Sequence, residues 1–393
     1  MKVLLVHNSY QQLGGEDVVF EQERQLLESA GHEVFTYCRS NLEIHDYNVA
    51  QRIALVKQVV WASPSRNGFQ KLLLEKRPDI VHVHNTFPLV SPSIYWTCKQ
   101  AGIAVVQTLH NYRLVCPAAA LYRDGHICEE CIDHSLWRSL RYGCYHNSRL
   151  ATAPVTLMLA VHRQQQTWAK MVDCYIALTQ FAKNKYVKSG IPSHKIHVKP
   201  NFLYADPGTR NGGGLYALYV GRITPEKGLP LVIDAWLRLK IRIPLQIIGN
   251  GPLLDVMQRK VSNDGSPDIH FKGSMRHEEV LSAMKGARFV LFPSQYYENF
   301  PMTLVESFAC GVPVIASRLG SMKEIVQHGS NGLQFTPEAP EDLAAKVEWA
   351  WTHPREMSAM GRAARSEYEA KYTAERNYGI LMDLYAGALR STP

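Results

Sequence analysis

Glu298-Asn-Phe-Pro-Met-Thr-Leu-Val-Glu306, running on as Ser-Phe-Ala-Cys-Gly311-Val-Pro313-Val-Ile-Ala316, decides how this 393-residue chain is read. The stretch predicts a loop ending in an acid, a short helix carrying a second acid, a glycine stop and a buried strand. Carboxylates accept hydrogen bonds from sugar hydroxyls, and a helix N-terminus offers unpaired backbone N–H groups. Glu298 and Glu306 at the mouth of such a helix suit a ligand that is both polyhydroxylated and anionic.

Outward from this stretch, apolar runs alternate with amphipathic ones, the pattern of a parallel sheet with crossover helices. Val3–His7 reads as a strand, Gly14-Gly15 as a turn, and Glu16 to Ala30 as a helix stopped by Gly31. Further strands are expected at Glu33–Cys38, Ile80–His84, Ala104–Leu109 and Cys174–Leu178. Asp-Pro-Gly and Asn-Gly-Gly-Gly make Phe202 to Leu215 a loop. The pattern restarts with strands at Tyr216–Val220, Leu245–Ile248, Ile269–Phe271, Phe289–Phe292 and Pro313–Ala316. Two doubly wound α/β domains follow, divided near residues 203–214. Ligands of such sheets bind outside the carboxyl ends of the strands, so the site is expected in a cleft between the domains. Tyr368 to Leu389 has a helical pattern.

A chain of 393 residues exceeds one ordinary core. Its 46% hydrophobic and 20% charged residues fit a soluble globular protein. Met1-Lys-Val-Leu-Leu-Val-His reads as a buried strand rather than a signal peptide. The longest apolar stretch, Leu150 to Val161, is interrupted by Thr152, Pro154 and Thr156 and falls short of the ~20 residues of a membrane span. A cytoplasmic protein is expected. Of the net charge of +8, residues 1–200 supply +7 (22 Lys and Arg, 15 Asp and Glu). That asymmetry points to an anionic partner, such as the inner face of the cytoplasmic membrane, or to a basic face that merely meets solvent. Nucleic acid ranks last, because no aromatic–basic interleaved strand is present.

Four smaller motifs bear on chemistry. Gly221-Arg222-Ile-Thr-Pro-Glu-Lys227-Gly228 places a guanidinium and an ammonium on a strand-to-helix loop, where they suit a pyrophosphate. Basic loops of this kind are also common without a ligand. Gly249-Asn-Gly251-Pro252 is either a plain tight turn or a place where a ligand approaches the backbone. Gly14-Gly15 opens a helix after the first strand, without a dinucleotide or Walker pattern. His110 ends a strand at the expected catalytic edge, although a lone strand-end histidine is more often structural. His82 and His84 lie on one strand, with one expected in the core and the other near the cleft. No Asp-x-Asp offers a carboxylate pair to a catalytic metal.

Cys116, Cys128, Cys131 and Cys144 fall in residues 116–148, a stretch that breaks the α/β pattern. Their C-x2-C pair matches a structural zinc site, with His126, His134 and His146 as reserve ligands; unligated thiols are the alternative, and disulfide or redox roles rank last in a reducing compartment. Cys38, Cys98, Cys174 and Cys310 are expected in core elements.

Taken together, Glu298…Glu306-Ser-Phe-Ala-Cys-Gly-Val-Pro, Gly221-Arg222…Lys227-Gly228, Gly249-x-Gly251-Pro252, Gly14-Gly15, His110 and Lys199-Pro-Asn201 resemble the family-4 retaining glycosyltransferases of GT-B fold. The resemblance covers nearly the whole chain. It implies two Rossmann-like domains facing across a cleft: an acceptor-side domain, 1–203, with the cysteine insertion, and a nucleotide-sugar domain, 204–372. Residues 373–393 would cross back to the first domain. By the same resemblance Glu306 would bind the ribose and Glu298 the donor sugar, helped by backbone N–H groups of Asn299, Phe300 and Met302. Arg222 and Lys227 would stabilise the departing diphosphate without a catalytic metal. His110 would sit by the donor sugar, and Gly14, Gly15 and Gly251 would line the donor site. Many members have Glu-Gly-Phe-Gly where this chain has Asn299 and Pro301.

The expected activity is retaining transfer of a sugar from a nucleotide-sugar donor to a glycan or lipid-pyrophosphate-linked acceptor, in polysaccharide or glycoconjugate biosynthesis. A nucleotide-sugar epimerase and a silent glycan-binding subunit are the alternatives.

Overall fold

The computed structural model describes residues 1–11, 14–263 and 268–391. Two compact units emerge. The first comprises Met1–Leu121, Cys128–Tyr204 and Ala374–Pro393, and the second Tyr122–Ile127 and Ala205–Thr373.

The first unit holds strands β1 (Lys2–Ser9), β2 (Glu33–Ser40), β3 (Ile80–Val83) and β4 (Ala104–Leu109). A short hairpin, β5 (Tyr122–Arg123) and β6 (His126–Ile127), interrupts the chain before β7 (Cys174–Ala177) and β8 (Ile196–Val198). The six-stranded sheet runs β2–β1–β3–β4–β7–β8, parallel throughout. Its inner strands are mostly apolar and buried along their whole length, as in a sheet covered on both sides. Helix α1 (Gly15–Ser29) seats Phe20 and Leu27 on one face of this sheet, against Val3, Leu5 and Val106. The last helix, Ala374–Ser391, adds Leu381, Tyr385 and Ala388 to the same core. The helical pattern expected from Tyr368 to Leu389 is two helices. Pro354–Lys371 ends where Tyr372 leaves helical geometry, and the next helix begins at Ala374. Cys98, Cys174 and Cys310 are buried, but Cys38 is exposed, because β2 is a sheet edge.

In the second unit β9 (Tyr216–Val220), β10 (Leu245–Ile248), β11 (Ile269–Gly273), β12 (Ala287–Phe292), β13 (Val314–Ser317) and β14 (Gly332–Phe335) form a sheet in the order β11–β10–β9–β12–β13–β14. Alternate residues serve two cores, Tyr219, Ile247 and Phe289 on one face and Leu218, Ile248 and Val290 on the other. Among the described residues no helix is long and apolar enough to cross a membrane.

Candidate functional site

In the second unit the loops at the carboxyl ends of β9, β10 and β12 are drawn together by glycines. Gly228 has φ of 78°, and a Cβ there would lie 2.0 Å from the Pro293 carbonyl oxygen. Gly249, at φ of 145°, would bring a Cβ to 1.9 Å from the Gly221 oxygen, and Gly251 one to 2.4 Å from that of Ile223. Only glycine tolerates such approaches. The glycines of Gly249-Asn-Gly251 therefore have a packing reason of their own: they let the β10 loop sit on the β9 loop that carries Arg222 and Lys227.

That packing delivers Lys227 to Glu298, 71 residues later. Lys227 Nζ lies 2.6 Å from Glu298 Oε1. The same oxygen accepts from Ser294 Oγ at 2.7 Å, and Oε2 accepts from the Tyr296 hydroxyl at 2.8 Å. Glu298 is buried and both its oxygens are engaged. Arg222 is held through its carbonyl, which accepts from the Tyr219 hydroxyl at 2.9 Å.

Glu306 is the opposite case. It lies on the helix Met302–Ala309, which starts at an extended Pro301 with no side-chain cap, leaving first-turn N–H groups to other partners. Its carboxyl is buried, yet among the described residues no group donates a hydrogen bond to it. His277 Nδ1 lies 3.7 Å from Oε1. Burial pushes the Glu306 carboxyl above its ordinary range, only partly offset by His277. Asn299 and Phe300 are buried beside it in sequence, and Phe300 packs edge-on against Tyr372.

The first unit gathers a second polar cluster at the carboxyl ends of β1, β3 and β4. Asp17 Oδ2 accepts from the Gly14 amide at 2.7 Å while Oδ1 meets His7 Nε2 at 2.8 Å, so the Gly14-Gly15 turn is tied to β1. His110, just past β4, has Nε2 2.9 Å from His84 Nδ1. His84 Nε2 in turn lies 3.4 Å from Glu23 Oε1, and His82 Nδ1 lies 2.8 Å from the same oxygen. Neither of these two contacts has hydrogen-bond alignment, since Oε1 has no aligned donor. They act as close electrostatic contacts of a buried carboxylate, whose Oε2 accepts from Lys199 Nζ at 3.0 Å. Burial pushes Glu23 upward, but Lys199 and His82 more than offset this and hold it well below the usual carboxylate range. Burial lowers His84 to about 4 and holds His110 well below the imidazole range, so both are neutral near pH 7.

The ionised Glu23 can only accept. It therefore favours a proton on His84 Nε2, leaving His84 Nδ1 to accept from His110 Nε2–H. His82 is wholly buried and His84 nearly so; both lie against Glu23, and His84 also reaches His110. Among the described residues Glu23, His82 and His84 alone have three ligand atoms within 4.8 Å of one another. The positive charge that such a set would hold is already supplied by Lys199.

Sequence reasoning singled out the histidines of this cluster but missed Glu23 and the neighbouring Glu16. Glu16 accepts from Asn85 Nδ2 at 2.9 Å and from Asn111 Nδ2 at 3.0 Å, and burial raises its carboxyl to about 8. Asp17 adds to the rise, while Asn111, Arg113 and Asn85 oppose it. The folded protein then keeps a proton that the unfolded chain releases above about 4.5. Stability from this group is complete below that value and is lost as pH rises through about 8. Glu16→Gln should flatten this part of the curve of melting temperature against pH. An unchanged slope would show that Glu16 is ordinary in the folded state. The signal for Glu23 was available: it sits within the apolar stripe Val19, Phe20, Leu26 and Leu27.

Of the four insertion cysteines, Cys116 and Cys131 are buried and none is in a disulfide. Cys131 is pushed up to about 12 by burial and then by Cys116, Cys144 and Cys128. No three of these sulfurs lie within the mutual spacing found for Glu23, His82 and His84.

Residues 13–206 match Glycosyltransferase Family 4, and residues 204–367 match Glycosyl transferases group 1. The chain is 30% identical over 164 residues to D-rhamnosyltransferase WbpZ of Pseudomonas aeruginosa, covering 41% of this chain and 42% of that protein. It is 27% identical over 181 residues to O-antigen chain mannosyltransferase C of Escherichia coli, covering 46% and 48%. The chain thus spans less than half the length of these curated relatives. In fold it is similar to Anabaena Alr3699/HepE, solved in complex with UDP, with a TM-score of 0.69 at 16% identity, covering 98% of this chain and 100% of that one. A glycosyltransferase from Rickettsia africae gives 0.72 at 15% identity, covering 99% and 98%. With both halves matched and the two-sheet architecture shared, this chain belongs to the family-4, group 1 glycosyltransferases of GT-B fold.

Proposed function

We propose that the chain transfers a sugar, with retention, from a nucleotide-sugar donor to a glycan or lipid-pyrophosphate-linked acceptor. The observation that carries this reading is Glu306, a buried carboxylate to which no described protein group donates. A vicinal diol of a ribose supplies the two donors that such a group lacks. The UDP and UDP-glucose complexes of HepE support a nucleotide-sugar donor. The O-antigen and rhamnosyl relatives support polysaccharide or glycoconjugate assembly.

In this reading Arg222 and Lys227 face the diphosphate and stabilise the charge it gains as the glycosidic bond breaks. Glu298, Asn299, Phe300, Met302 and Gly251 border the sugar and nucleotide; the family resemblance assigns donor-binding roles to His110, Gly14 and Gly15 of the first unit. Glu298 accepts three hydrogen bonds, which makes it a poor nucleophile. That favours front-face transfer: the acceptor oxygen bonds the anomeric carbon as the diphosphate leaves, and a diphosphate oxygen takes the acceptor's proton. No catalytic metal is part of this scheme. A structural zinc at Cys116, Cys128, Cys131 and Cys144 is a separate proposal. It requires the thiols to close around the ion as thiolates, and a zinc content below about 0.2 equivalents in folded protein would sink it.

A thermal-shift panel of nucleotide diphosphates and nucleotide sugars tests the donor site. One nucleotide should raise the melting temperature, and Glu306→Ala should weaken its binding about 10- to 100-fold, the cost of a charged hydrogen bond. Because ribose donors favour the ionised carboxylate while burial favours the neutral one, donor affinity should rise with pH through the raised value of Glu306. Glu306→Gln should abolish that slope. An unshifted melting temperature with every donor would refute the reading. An epimeric product formed without acceptor would assign the site to an epimerase instead.

A further inference from the structure

Two helices of the first unit carry apolar side chains into solvent. Helix Val49–Val60 consists largely of Val, Ala, Ile and Leu, yet Val59 is its one buried residue. Val49, Ile53 and Val56 share a face by their spacing and are 74%, 64% and 50% exposed. Helix Arg149–Gln164 packs against it and exposes Leu150, at 88%, and Leu157, seven residues on and so on the same face. A short helix, Arg138–Tyr142, packs on the second of these and brings exposed Trp137 and Tyr142. A single exposed leucine needs no explanation, but stripes on two packed helices do.

Charge narrows the choice of occupant. Residues 47–74 and 134–172, which contain all three helices, hold nine Lys and Arg and no Asp or Glu. The acids nearest in sequence are mostly committed. Glu43 pairs with Arg39, Glu130 with Arg138, and Asp133 with Lys188, while Asp46 precedes the first helix. A second copy of the same face would set cations against cations. An acidic, water-exposed protein would leave the apolar stripes unburied.

We infer that this face docks on an anionic lipid bilayer. Val49, Ile53, Val56, Leu150 and Leu157 enter the boundary between headgroups and acyl chains, while Arg52, Lys57 and Arg149 meet lipid phosphates. Trp137 and Tyr142 suit the headgroup level. The inference stands on the surface of the first unit and does not depend on the donor site.

Flotation of the full chain with vesicles tests it. Vesicles of phosphatidylcholine with phosphatidylglycerol should bind the chain, and those of phosphatidylcholine alone only weakly, with binding reduced by salt. Ile53→Ser combined with Val56→Ser and Leu157→Ser should weaken binding more than tenfold. Lys57→Gln and Arg149→Gln should each weaken it about fivefold. Neither set should move the melting temperature or the nucleotide-induced shift, since none of these residues borders the donor site. Three results would overturn the inference: no binding to the anionic vesicles at low salt, binding that survives the triple substitution, or a concentration-dependent dimer in gel filtration that this substitution abolishes.

Discussion

Lys227→Met is expected to slow sugar transfer by about 10²–10³-fold, the effect of removing one preorganised group that stabilises charge developing in a transition state. The loss should fall mainly on kcat, because the diphosphate carries more charge as it departs than while it is bound. The ammonium is held in place twice: Gly228 presses its loop onto Pro293, and Glu298 Oε1 lies 2.6 Å from Nζ. Glu298→Gln leaves the ammonium charged but loosens it, so its cost should be shared between kcat and KM. Steady-state kinetics on both variants separate these roles. If Lys227→Met changed only KM, the residue would bind the donor without assisting bond cleavage.

The second large effect concerns stability. Lys199→Met should destabilise the chain by roughly 3–5 kcal/mol, because it strands a carboxylate that is wholly buried. On a protein of this size that corresponds to a fall in melting temperature on the order of 5 °C. The folded Glu23 value lies below its ordinary one. Its contribution is therefore present at neutral pH and is lost as acid protonates it, so the two proteins should converge at low pH. Adding Glu23→Gln to Lys199→Met should recover part of the loss, since a neutral pair no longer contains an uncompensated charge. Equal melting temperatures for Lys199→Met and the native chain would mean that Glu23 is already neutral.

The contrast between these two predictions marks what could be read from residues alone. Tyr216–Val220, Leu245–Ile248 and Ala104–Leu109 are strands with the expected bounds, because continuous apolar runs between turn residues leave little choice. Ile196–Val198 and Gly332–Phe335 are short edge strands with a polar residue in each, and no periodic signal separates them from loops. Helix Val49–Val60 has apolar residues on every side and buries only Val59, so its pattern does not point to a core face. The acids of Glu298…Glu306 stand out through local spacing. The Lys227–Glu298 pair and the Glu23–Lys199 pair, 71 and 176 residues apart, exist only once the strands are ordered. Gly249 and Gly251 attract notice in the sequence, but the backbone they accommodate belongs to another loop.

If His110 faces the donor sugar, as proposed, the Glu23–His84–His110 series has a consequence for which sugars are accepted. With Nε2–H committed to His84, neutral His110 can offer only the lone pair of Nδ1 to its surroundings. It is a hydrogen-bond sink with no proton to give. A partner bearing a hydroxyl at that point can satisfy it, whereas a deoxygenated partner leaves a buried lone pair unpaired. Sites built this way discriminate by absence, rejecting the analogue that lacks the oxygen by factors of about 10⁴–10⁵. The charge of the buried Glu23 thus biases, through two imidazoles, which way a third hydrogen bond runs.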